Sequence, residues 1–377
     1  MLADCIVVGG GVIGMLSAWE LAKAGCKVVL LERNRLGQEA SWAGAGILGP
    51  LPPWSIPSAL DPLLRWSQVR YPELASELRD LTGIDCEWTQ SGLLLLDAAL
   101  NGDTSSWARH SRDRCEILGP AELKALEPRV HASDQALRWP SMAQIRNPRL
   151  LRALAAVTRQ AGVGIYENAQ VSSVTVSHRR VVGAIASAGR FLSETVIVAG
   201  GAWSGQLLAG LPFPPTVAPV RGQMLLFETK TPLFHHILLR EEIYAVPRAD
   251  GRVLIGSTLE RVGFDKSVTP GARSVLEAVA FGLVPELEQA KLAGHWSGLR
   301  PYPQRDTPII AAHPAIRGLY ANTGHYRLGV TLAPGSARLV ADLILARSPV
   351  VDREVFAWPG FEARAPGGCK QPKLGVH

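Results

Sequence analysis

The chain opens on a short apolar run, Cys5 to Val8, that breaks at Gly9-Gly10-Gly11-Val12-Ile13-Gly14. So short an apolar run, bounded by glycine, predicts a buried strand. Beyond it, Ile13, Leu16, Leu21 and Ala24 recur at helical spacing, which predicts a helix to about Ala24 with those side chains inward and Gly25 as the C-terminal cap. Cys26 to Leu31 then reads as a second strand, ending at Glu32. Much later, residues 195–199 form another apolar run that stops at Gly200-Gly201, and "AQVSSVTV" around Val171 is strand-like. The alternation in "EEIYAVPRADGRVLIGS" around Asp250-Gly251 predicts a β-hairpin, with Tyr244, Val246 and Arg248 on one face and Ile243, Ala245 and Pro247 on the other. "GLLLLDAAL" near residue 92 and "GQMLLFE" near 222 add antiparallel strands, and residues 324–331 lead into a helix with Pro334 in its first turn.

Strand, glycine triplet, helix, strand and acid in this order have a chemical meaning. In G-x-G-x-x-G, here Gly9, Gly11 and Gly14, the first glycine permits a tight turn, the second admits a pyrophosphate to the backbone, and the third lets helix and strand pack closely. Glu32 lies about 20 residues beyond, where an acid accepts hydrogen bonds from a ribose hydroxyl and disfavours a 2'-phosphate. The expected ligand is FAD or NAD, not NADP. The expected fold is α/β, with a Rossmann-like dinucleotide domain and an antiparallel-sheet substrate domain.

Length and composition agree. A chain of 377 residues, 47% hydrophobic and 19% charged, is long enough for two cores. The net charge of +6 is spread along the chain without a basic run, so no nucleic-acid partner is expected. Five cysteines without a C-x-x-C pair argue against a disulfide framework and a zinc site, and fit a cytoplasmic protein with no metal. The apolar N-terminus carries Asp4 and Glu20 and three consecutive glycines, so it reads as folded core; no membrane span or signal segment is expected.

The run Ala40-Ser41-Trp42-Ala43-Gly44-Ala45-Gly46-Ile47, just past the acid, is glycine-rich enough to bring backbone close to a flat ligand. "VVGGGVIG", "LLERNRLGQEASWAGAGIL", "VIVAGGAWSG", "AGHWSGLRPYPQRDTPII" and "NTGHYRLGVTLAPGSARLVADLI" together resemble the D-amino-acid oxidase and glycine oxidase family of flavoproteins, over residues 5 to 345. The resemblance implies non-covalent FAD held by Gly9, Gly11, Val12, Ile13, Gly14, Glu32, Arg33, Ala40, Ser41, Ala45, Gly46, Ile47, Val171, Gly200, Trp203, His325, Tyr326, Arg327, Leu328, Gly329, Val330 and Thr331. Adenine would lie near Glu32, with the flavin near Ala45 to Ile47. The C-terminal helix would turn its positive end toward the reduced flavin.

The same resemblance marks Arg300, Tyr244 and Arg327 as substrate-binding. An arginine fork grips a carboxylate through two parallel hydrogen bonds, which lysine cannot imitate. The family commonly has a polar residue after the last arginine; this chain has Leu328. No general base is assigned, since hydride transfer from a neutral amine needs orientation above all, and His325 and Tyr326 read as packing beside the flavin. The implied activity is oxidative deamination of glycine, small amines or D-amino acids, with oxygen reduced to hydrogen peroxide, a role in making the thiamine thiazole, and by analogy a homotetramer. Alternatives at this level are a D-amino-acid, sarcosine or proline dehydrogenase with another electron acceptor, an NAD-dependent dehydrogenase, and a non-catalytic binding protein. No Cys between Cys115 and Cys369, and no His before His110, stands where relatives attach flavin covalently.

With flavin elements at both ends and in the middle, the cofactor domain is expected to be discontinuous. Residues 1–85, 147–218 and 293–348 would build it, and 86–146 and 219–292 the substrate domain. Leu51 to Pro62 and Leu211 to Pro219 would be crossing loops, and residues 365–377 a disordered tail.

Overall fold

A computed structural model describes residues 2–52, 56–97, 115–132 and 134–359; the expected disordered tail lies outside these residues. The first apolar run is strand β1 (Cys5–Val8), inside a six-stranded sheet. Its order is β16 (Ile309–Ala312), β17 (Leu319–Thr323), β10 (Val196–Val198), β1, β2 (Val28–Leu31) and β6 (Gly164–Tyr166). Every neighbour is parallel except the β16–β17 pair at the edge.

Strand periodicity decides which side chain enters which core. Cys5, Val7, Val28, Leu30 and Ile197 face one core, packed under helices α1 (Val12–Lys23), α2 (Asp61–Thr82), α3 (Asn147–Gln160) and α5 (Gly329–Ile344). Ile6, Val8, Val29, Leu31, Val196 and Val198 face the other. A three-stranded sheet of β7 (Val171–Ser177), β8 (Arg180–Ala186) and β9 (Gly189–Leu192) closes that side.

The second lobe is an eight-stranded sheet, in the order β15 (Lys291–Tyr302), β11 (Ala218–Glu228), β14 (Arg252–Gly256), β13 (Ile243–Pro247), β12 (Ile237–Arg240), β3 (Leu93–Leu96), β5 (Ala136–Trp139) and β4 (Glu116–Leu118). The hairpin forms as its alternation requires: Tyr244 and Val246 join one cluster, Ile243 and Ala245 the other, and α4 (Pro270–Leu283) covers the second face.

Several expectations are revised. The first helix ends at Lys23, and Ala24 is not inward; Met15, Ala18 and Trp19 are buried as well, because sheet and helices enclose α1 on more than one side. The second strand starts at Val28, since Lys27 is exposed and its carbonyl takes the Asp4 N–H. The large sheet is antiparallel except at β3–β12, which run parallel. "GLLLLDAAL" is strand only over Leu93–Leu96, and its last residues lie outside those described. The boundary expected at residue 293 falls inside β15, whose whole length pairs along β11, so the chain leaves the large sheet only after Tyr302.

Pro334 is not in the first turn. It is the sixth residue of α5, where a missing N–H leaves the Val330 carbonyl without its usual helical partner. The hydroxyl of Tyr71, fully buried on α2, donates to that carbonyl instead. Tyr71→Phe leaves the carbonyl unsatisfied and is expected to cost about 1–3 kcal/mol. A urea titration checks this: the midpoint falls while the m value stays constant. Among the described residues no helix is long and apolar enough to cross a membrane.

Candidate active site

A cavity of about 680 Å³ runs between the two sheets. One end is the glycine turn. Gly9 has φ +110°, and a Cβ there would lie 2.4 Å from the Ala199 carbonyl oxygen, so β1 and β10 approach at a distance only glycine allows. Glu32 is buried, and its carboxylate accepts the Gly10 N–H at 2.7 Å and the Asn34 N–H at 2.9 Å, which fixes the turn. Ser41 Oγ accepts the Val12 N–H at 3.1 Å. Arg33 lies 3.5 Å over the Trp203 ring and pairs with Glu39, which also holds Lys266 at 2.9 Å.

The other end carries the charge. β15 delivers Arg300 into the cavity, where Nη1 donates to the Arg221 and Thr258 carbonyls at 3.3 and 3.2 Å and Nη2 donates to Ser257 Oγ. Among the described residues no carboxylate pairs with it. Burial and the Arg327 charge pull its pKa down, while Tyr244 opposes that. Tyr244 is half-buried on β13 facing the same space, with its hydroxyl 3.4 Å from Met224 Sδ. Arg327 is differently placed: its guanidinium is 3.8 Å from Glu242, on the rim.

The expected cofactor residues line the cavity together, with two exceptions. Gly14 stands behind the wall, where a Cβ would meet the Gly9 carbonyl oxygen at 1.8 Å. Thr331 also stands back; its hydroxyl donates to the Ile47 carbonyl at 3.2 Å, pinning the small-residue run to α5. His325 is buried and bonds Ser336 Oγ at 2.7 Å, and burial pushes its imidazole down to about 3, so it is neutral and turned to the core.

Four contributors escape a reading of the sequence. Ser257 orients Arg300 from another strand end, and nothing local marks it. At Gly222 a Cβ would fall 2.2 Å from Arg300 Nη2, so this glycine makes room for the guanidinium; a glycine inside a β-run is the one signal for it. Arg248 and Gln144 brace the Ala45 carbonyl from behind.

The comparisons with known proteins agree with this geometry. The model of the FAD dependent oxidoreductase family matches residues 4–343. The chain is 44% identical to a glycine oxidase of Pseudomonas aeruginosa, over 94% of this chain and 98% of that one. To a glycine oxidase of Pseudomonas putida it is 38% identical, over 96% and 99%. The crystal structure of glycine oxidase from Geobacillus kaustophilus superposes with a TM-score of 0.90 at 34% identity, covering 95% of this chain and 99% of that one. A family match across nine-tenths of the chain, on a cavity whose ends are a glycine turn and a half-buried arginine without a carboxylate partner, leads to one conclusion: this protein belongs to the FAD dependent oxidoreductase family.

Proposed function

We propose that the protein oxidises glycine, and other small amines or D-amino acids, to the imine, which water converts to the oxo acid and ammonia. Arg300 carries the proposal. It is a half-buried cation held in the cavity by neutral acceptors alone, and an arginine withdrawn from water ordinarily has an anionic partner. A substrate carboxylate is that partner, bound by the arginine fork with the Tyr244 hydroxyl alongside.

The residues present fit a flavin dinucleotide. Among the described residues no acceptor takes the Gly11, Gly46 or Ile47 N–H, a Cβ on Gly11 would meet only Ser41 Oγ at 3.1 Å, and around Gly201 the space is open. Gly11, Val12 and Ile13 would hold the pyrophosphate at the start of α1, Glu32 the ribose, Val171 the adenine, and Ala45 to Ile47 the flavin ring. FAD, when bound, would supply a hydride acceptor at N5, with oxygen as the final acceptor and hydrogen peroxide as the product. The protein's part is to fix Cα by its carboxylate and to exclude water. We assign no general base: hydride transfer from a neutral amine needs orientation above all, and His325 is turned to Ser336. Among the described residues that line the cavity there is no cysteine, and His325 is the one histidine, which supports non-covalent attachment.

Anaerobic mixing with glycine, sarcosine, D-alanine, D-proline and L-proline, followed by flavin absorbance, tests the reading. Rapid bleaching by glycine is the expected result. A flavin that stays oxidised with glycine but bleaches with a larger or secondary amine overturns the glycine assignment. Gly222→Ala should push the Arg300 guanidinium aside while the backbone stays put. The expected result is a loss in kcat/KM of roughly 100-fold with the melting temperature nearly unchanged, measured side by side.

A further inference from the structure

Arg248 is buried, at 5% exposure, behind the wall formed by Ala45, Gly46 and Ile47. Its Nη1 donates to Gln144 Oε1 and its Nη2 to the Ala45 carbonyl oxygen, each at 2.7 Å. Both acceptors are neutral, and Nε is buried without a partner. The neighbouring acids are committed elsewhere: Arg146 binds Glu87 and Asp250 at 2.9 Å each, and Arg149 adds a contact to Glu87 at 3.0 Å. Arg248 therefore has no ion pair among the described residues. Burial pushes its guanidinium down only to about 10, so it keeps its charge at neutral pH.

The peptide between cation and cavity has a fixed polarity. Because the Ala45 carbonyl points at Arg248, a planar trans peptide turns the Gly46 N–H the opposite way. Gly46 and Ile47 line the cavity, and no acceptor among the described residues takes either N–H. The wall thus presents the Gly46 N–H, aligned by a positive charge that has no ion pair of its own; Glu87 and Asp250 act on that charge only at longer range, and Arg146 opposes them. In a medium of low dielectric such a charge acts over several ångströms with little screening.

We propose that Arg248 is a positioning residue for redox chemistry: its unpaired charge, acting through the Ala45–Gly46 peptide, favours the anionic reduced flavin over the neutral oxidised one and raises the reduction potential. This rests on the reading that FAD occupies the cavity. It adds a second source of positive potential, from the lobe opposite α5.

The test is the midpoint potential of the FAD-loaded protein, with the affinity for oxidised FAD measured in parallel. Arg248→Met removes the cation. Gln144→Glu keeps it and places a carboxylate where the neutral amide oxygen now accepts at 2.7 Å. Gln144→Leu breaks the same hydrogen bond and leaves the charge unpaired. Arg248→Met and Gln144→Glu are each expected to shift the ratio of reduced to oxidised FAD affinity at least tenfold, a fall of about 30 mV for a two-electron couple. Gln144→Leu should keep the parent potential. If Arg248→Met does not fold, Gln144→Glu decides. The parent potential in a folded, FAD-loaded Gln144→Glu overturns the proposal, and so does loss of oxidised-FAD binding in that variant with Gln144→Leu intact. A parent protein that takes up no FAD overturns instead the reading beneath it.

Discussion

Arg300→Ala is expected to lower kcat/KM for glycine by roughly 30-fold to several thousand-fold, from a loss of about 2–5 kcal/mol when one partner of a buried charged pair is removed. The yellow colour and the oxidised flavin spectrum should survive, because Arg300 enters from β15 and shares no hydrogen bond with the glycine turn. Arg300→Lys should recover only part of the activity. Lysine restores a point charge, but neither the fork nor the hold by Ser257 and two carbonyls. Steady-state kinetics on glycine, with FAD content measured on the same samples, checks both variants. An Arg300→Ala protein with parental kcat/KM would mean that the substrate carboxylate binds elsewhere, and Arg327 would then be the cation to test.

Gly14→Ala acts at the other end of the cavity and in the opposite way. The added methyl would lie 1.8 Å from the Gly9 carbonyl oxygen, and Gly9 is itself locked against Ala199. Neither contact involves the free end of a flexible side chain, so backbone must move. Forced overpacking of this kind costs about 1–3 kcal/mol, and the displaced segment is the turn on which a dinucleotide pyrophosphate would lie. The expected product is a protein purified largely colourless, with a lowered melting temperature and weak FAD uptake in a fluorescence titration. Arg300→Ala should give the reverse pattern, coloured and stable but slow. That contrast separates cofactor binding from substrate binding.

Local order along the chain was sufficient for the opening strand–helix–strand unit of one lobe and for the hairpin of the other. The run Cys5–Val8, the glycine triplet and Glu32 are consecutive features whose spacing already dictates strand, tight turn, helix and acid. Asp250-Gly251 with alternating flanks likewise dictates which side of β13 Tyr244 takes. Arg300 as the candidate for the substrate carboxylate was legible only through the chain's resemblance to a family, since an arginine in a Trp- and Gly-rich run has no local signature of its own. What the sequence could not disclose are relations between distant segments. Arg300 depends on Gly222 and Ser257; Val330, orphaned by Pro334, depends on Tyr71 some 260 residues earlier; and Arg248 reaches Ala45 across more than 200 residues. Hydrogen-bond satisfaction and hard-sphere contact act in space over about 3 Å. The chain therefore carries the groups and their local geometry, and the packing of the two sheets alone decides which cation is left unpaired and what it faces.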